Sequence, residues 1–126
     1  MILAQFTRKA DGQLQSVQVS GHAGSGPYGY DIVCAAVSTL AINFINSLVE
    51  LARVEADVQL DELDGGFLRV TLPSHLEEPT SQKVQLLFES FLLGMSNLSD
   101  HSSEFVKTQV TETLNGGKTN DSIKSC

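Results

Sequence analysis

The chain has 126 residues, 41% of them apolar and 18% charged, which suits one domain with a hydrophobic core and excludes wholesale disorder. Eight Lys and Arg stand against fifteen Asp and Glu, a net charge of −7. That balance argues against direct nucleic-acid binding, because phosphate contacts need clustered cations, and it suits either plain solubility or a basic protein partner drawn in by long-range attraction.

The segment from Met1 to Thr7 has no basic start, no long apolar stretch and no small-residue cleavage site, so it does not read as a signal peptide. No run of eighteen apolar residues occurs, so no membrane-spanning helix is expected and the sequence predicts a cytoplasmic protein without a membrane partner. Residues 1–9 and 14–20 alternate as strands, Ile2, Ala4 and Phe6 against Leu3, Gln5 and Thr7, then Val17 and Val19 against Ser16, Gln18 and Ser20. Asp11-Gly12 between them is a hairpin signal. Residues 21–30 hold four glycines and fit no regular element, so they predict a mobile loop. Asp31 reads as a helix N-cap, and the helix is expected from about Ile32 to Ala52. Its apolar residues cover more than one face, which predicts a central core helix or a subunit contact.

Residues 55–63 and Phe67 to Leu72 alternate again around Asp64-Gly65-Gly66 and predict a second hairpin. After a connection from Pro73 to Pro79, helical spacing of Val84, Leu87, Phe88, Phe91, Leu92, Met95 and Leu98 predicts a helix over Thr80 to Ser99. Phe105 to Thr113 is rich in Val and Thr and predicts a last strand. The expected fold is α+β, a mostly antiparallel sheet of about five strands with two helices in the order ββαββαβ. It occupies one domain over residues 1–113, and 114–126 is expected to be a flexible polar tail.

The chemistry concentrates between the first hairpin and the long helix. The only cysteines are Cys34 and Cys126, and with Cys126 in the tail they make a poor disulfide framework. Cys34 therefore reads as a free thiol. Three places after Asp31, it is expected in the first helical turn, where unpaired amides and the helix dipole favour thiolate. The alternative is a small buried apolar residue. His22 ends the preceding strand and can take a thiol proton or simply bond backbone. The glycine-rich stretch carrying Gly24, Gly26, Tyr28, Gly29 and Tyr30 can admit and cover a peptide. It can also be only a tight connection. Ser38 lies one turn beyond Cys34. Asp31 is a helix cap first, and a third group orienting His22 second. The loop has no lysine and no P-loop ending, which leaves phosphate binding at the helix N-terminus as a rival reading. His75 and His101 sit in unrelated segments and no zinc spacing is present, so no metal is expected.

The run Gly21-His22-Ala23, followed by Tyr28-Gly29-Tyr30-Asp31-Ile32-Val33-Cys34-Ala35-Ala36-Val37-Ser38, closely resembles the signature of the bacterial ribosomal-processing cysteine proteases. The resemblance extends over about residues 1–112 in length and element order, and leaves out the tail. It implies a cysteine endopeptidase that removes a short N-terminal extension from a large-subunit ribosomal protein, the twenty-seventh in the usual numbering, during ribosome assembly. The cut would follow an aromatic pair. By the same resemblance Cys34 is the nucleophile, His22 the proton donor and acceptor, and Gly21, Asp31 and Ser38 have supporting roles. It further implies a homodimer, a ribosomal protein precursor as partner, and no cofactor. A rival reading keeps the motif structural, in a non-catalytic dimeric ribosome-assembly factor.

Overall fold

The computed structural model describes residues 1–21, 29–61, 66–114 and 118–125. In chain order the elements are β1 (Ile2–Arg8), β2 (Leu14–Ser20), α1 (Tyr30–Glu50), β3 (Asp57–Asp61), β4 (Phe67–Thr71), α2 (Thr80–His101), β5 (Val106–Leu114) and β6 (Lys118–Ser125). The α+β class and the order ββαββαβ agree with expectation through β5. The strands form one sheet in the order β3-β4-β2-β1-β5-β6. All neighbours pair antiparallel except β1 and β5, which run parallel.

The first hairpin closes as its sequence predicts. Lys9 N–H bonds the Gln13 carbonyl at 2.8 Å, and the Asp11 side chain accepts from Gln13 N–H at 3.0 Å. An Asx contact of this kind is what favours Asp in such turns. In β1, Ile2, Ala4 and Phe6 are fully buried while Leu3, Gln5 and Thr7 are half-buried. Register carries that alternation across the sheet, with Ala4 opposite Val19 and Phe6 opposite Val17. One sheet face is therefore apolar, and it packs against α1 and α2.

Four phenylalanines join the layers. Phe44 of α1 stacks on Phe91 of α2 with ring centres 4.8 Å apart and lies 4.7 Å from Phe88. Phe6 of β1 meets both α2 rings, at 5.4 and 6.1 Å. Behind them, Ser99 and Thr108 share a buried hydroxyl–hydroxyl bond of 2.6 Å, and both lie within reach of the Met95 carbonyl, so one hydroxyl donates to the other and the second donates to that carbonyl.

Several expectations need correction. The long helix starts at Tyr30, and its N-cap is Gly29 at φ 92°, with no side-chain cap bond. Asp31 is therefore in the first turn and is not the cap. A left-handed residue ends the incoming loop there, and glycine adopts that conformation without steric cost. The helix ends at Glu50, short of Ala52. Only one face of it is fully buried, through Tyr30, Val33, Cys34, Val37, Ala41, Phe44 and Leu48, while Ile32, Ile42 and Val49 are exposed. By length and composition α1 is long and apolar enough to cross a membrane, contrary to the sequence expectation, yet its inner face packs into the core. The expected loose tail instead carries β6, which pairs antiparallel with β5 and gives the sheet six strands. The outer edge of β5 presents unpaired backbone groups, and a following strand satisfies them. The turn proposed at Asp64 and Gly65, and Cys126, lie outside the described residues.

Candidate active site

Two chain ends converge on Cys34. The first is the exit of β2. Gly21 has φ 79° and donates its N–H to the Gly66 carbonyl at 2.9 Å. A Cβ at this position would run into the Met1 backbone carbonyl, so both the conformation and the space require glycine. The second is the start of α1, where Gly29 turns the chain and its carbonyl accepts the first helical bond, from Val33 N–H at 3.3 Å.

Tyr30 connects the two. Its hydroxyl donates to the Gly21 carbonyl. Its ring is 8% exposed and stands edge-on to Phe105, with centres 5.8 Å apart. Phe105 is tied to the sheet, since its carbonyl accepts from Ile2 N–H at 2.7 Å. Cys34 follows Tyr30 by four residues, so the two side chains share one buried helix face, and each influences the ionisation of the other. Cys34 is a free thiol and is 8% exposed.

Because α1 begins at Tyr30, Cys34 is not in the first turn. Val33 N–H is already bonded to Gly29, so the unpaired amides belong to the residues before it. The expected helix-end activation of the sulfur is accordingly outweighed. Burial pushes the Cys34 thiol up, and the Asp31 carboxylate pushes it further; the Tyr30 hydrogen bond and the Met1 amino group act the other way without prevailing. Tyr30 is also pushed up, chiefly by burial and then by Cys34.

Of the residues singled out in the sequence, the fold brings together Gly21, Tyr30, Asp31 and Cys34, with Gly29 at the helix start. Asp31 is exposed, and Ser38 is half-buried one turn past Cys34. His22, Gly24, Gly26 and Tyr28 lie outside the described residues. Tyr30, expected in an open substrate loop, is the buried first residue of α1. Phe105 was not anticipated, because only tertiary contact joins it to Tyr30. The Tyr30–Cys34 pair had a signal, their spacing of four. His101 places Nδ1 2.8 Å from the Asn97 carbonyl oxygen. Among the described residues, no group of three His, Cys, Asp or Glu side chains is placed to hold a metal ion.

Residues 1–107 match the family described as "Cysteine protease Prp". The chain is 32% identical over 98 residues to the ribosomal processing cysteine protease Prp of Bacillus subtilis, covering 78% of this chain and 87% of that protein. It superposes on the crystal structure of SMU.848 from Streptococcus mutans with a TM-score of 0.82 at 50% identity, covering 90% of this chain and 99% of the other. The Staphylococcus aureus Prp crystallised with a substrate peptide has the same fold, with a TM-score of 0.76 at 24% identity over 87% of this chain and 99% of the other.

Proposed function

Since the chain belongs to the Prp family of cysteine proteases, we propose that it removes the N-terminal extension of a large-subunit ribosomal protein, the twenty-seventh, with Cys34 as nucleophile and His22 as general acid and base. The enzyme class follows from family membership; substrate, cut site and residue roles are the proposal. One observation carries it. Tyr30, one turn before Cys34 on the same face of α1, donates its hydroxyl to the carbonyl of Gly21, the residue that precedes His22 in the chain.

In this reading His22 takes the proton from Cys34 Sγ. The thiolate attacks the scissile carbonyl carbon, and the carbonyl oxygen becomes an oxyanion. Amides at the start of α1 can donate to that charge. Collapse breaks the C–N bond, and His22 returns the proton to the leaving amine. A thioester remains on Cys34. His22 then takes a proton from water, the resulting hydroxide equivalent displaces the sulfur, and the acid product leaves. The described surroundings disfavour ionisation of the thiol, burial above all, so activation in this scheme depends on His22. The acidic chain, at −7, suits a basic ribosomal substrate. A cut after an aromatic pair calls for an apolar groove. We also read the protein as a cytoplasmic homodimer, on the strength of the apolar outer face of α1.

The test is incubation of the extended ribosomal protein with the enzyme under reducing conditions, followed by mass measurement. A single cut after the aromatic pair is expected. Cys34→Ala should keep the fold and lose at least about a thousandfold in kcat/KM, with His22→Ala comparably impaired. An intact precursor with the wild-type enzyme would sink the substrate assignment, and cleavage by Cys34→Ala would sink the nucleophile.

A further inference from the structure

The Tyr30 hydroxyl has one proton and, among the described residues, two neighbours that can accept it. One is the Gly21 carbonyl, to which it donates here. The other is the Cys34 sulfur, one helical turn along the same face. A neutral thiol needs no donor, because its own S–H can point at the phenol oxygen. A thiolate is an acceptor only and competes with the carbonyl for the phenol proton. Charge-assisted hydrogen bonds are the stronger kind, so the proton should follow the charge.

We propose that Tyr30 is a positioning residue for the nucleophile: its hydroxyl anchors the Gly21 carbonyl while Cys34 is a thiol, and turns its proton to the sulfur when Cys34 becomes a thiolate. The proposal deepens the reading of Cys34 as nucleophile and rests on it. Its geometry is well fixed. Burial leaves the ring at 8% exposure, and Phe105 holds it edge-on from the sheet side. Gly21 is pinned by Gly66 on its other polar group and has no room for a side chain. Turning the proton therefore releases the Tyr30 bond to the carbonyl of Gly21, the residue that precedes His22. Ionisation of the nucleophile and loosening of the strand exit are thus coupled through one phenol. Among the described residues, the other charged groups acting on the sulfur are Asp31, on the same helix, and the Met1 amino group before β1; Phe105 brings no charge.

The experiment compares wild type with Tyr30→Phe, both carrying Cys126→Ser so that one thiol remains. The phenylalanine ring keeps the stack on Phe105, and a melting curve checks that the variant is folded. Iodoacetamide alkylation of Cys34 is followed against pH. Loss of the phenol donor should move the profile up by about one pH unit, making alkylation roughly tenfold slower on its rising limb. On a peptide substrate the same variant should lose kcat with KM little changed. An unmoved alkylation profile overturns the proposal, even if the melting temperature falls, since that pattern marks a structural role alone. Alkylation needs no substrate, so the two ideas separate: an uncleaved ribosomal precursor with a shifted profile sinks the substrate assignment and supports the role of Tyr30.

Discussion

The Cys34 thiol faces influences of opposite sign, and burial is the largest of them. A buried thiol favours its neutral form, so it ionises at higher pH in the folded chain than in the unfolded one. The stabilisation from that preference is complete below the unfolded-chain value and is lost as pH rises through the folded one. Urea unfolding of the wild type should therefore lose stability with rising alkaline pH more steeply than unfolding of Cys34→Ala. Parallel pH profiles for the two would contradict the burial argument. Part of this residue-scale picture was readable beforehand. The free thiol followed from cysteine arithmetic, and the spacing of four between Tyr30 and Cys34 was in plain view. The sign of the thiol's shift was not, because it depends on how far into the helix Cys34 falls and on what covers it.

At the scale of elements, α2 is fixed by its rings. Phe88 is fully buried and touches rings of both β1 and α1. Phe88→Ala should cost about 3–5 kcal/mol, from lost transfer energy, a cavity and broken aromatic pairs, and denaturant melts would measure it. A loss under about 1 kcal/mol would mean that the helix is held mainly elsewhere, for instance by the two-bond Arg8–Glu89 pair at 2.6 and 3.0 Å. That pair is partly exposed and is worth roughly 1 kcal/mol or less. The helical spacing of Val84, Phe88, Phe91, Leu92 and Met95 predicted the buried face of α2 correctly. The start of α1 was misplaced, because an Asp before an apolar run imitates a cap whether or not its side chain bonds an amide.

Across the whole molecule, one sheet face and two helices enclose the core, and apolar surface is left over on the outside of α1. Ile42 is 58% exposed and Val49 46%, and Leu51 continues the patch beyond the helix end. A groove of about 430 Å³, lined by Ile45, Leu48, Val49, Ala56 and Val58 with Glu55 and Asp57, runs alongside. Under the proposed homodimer this surface is covered by a second copy. Ile42→Glu with Val49→Glu should then halve the mass measured by sedimentation while leaving the circular dichroism spectrum unchanged. A wild type that sediments as a monomer would remove the homodimer from the proposal.

The sequence by itself determined the α+β class, the order of elements through β5, the faces of β1 and α2, and the motif that carries the thiol. These depend on periodicity, turn chemistry and spacing along the chain, which act over a few residues. Only the tertiary structure decided that β1 and β5 run parallel, that the chain beyond β5 returns as β6, and that Tyr30 turns inward between Gly21 and Phe105. Each of those depends on groups distant in sequence meeting in space. A backbone edge left unpaired, or a ring left without a partner, finds its match only once the sheet has closed around it.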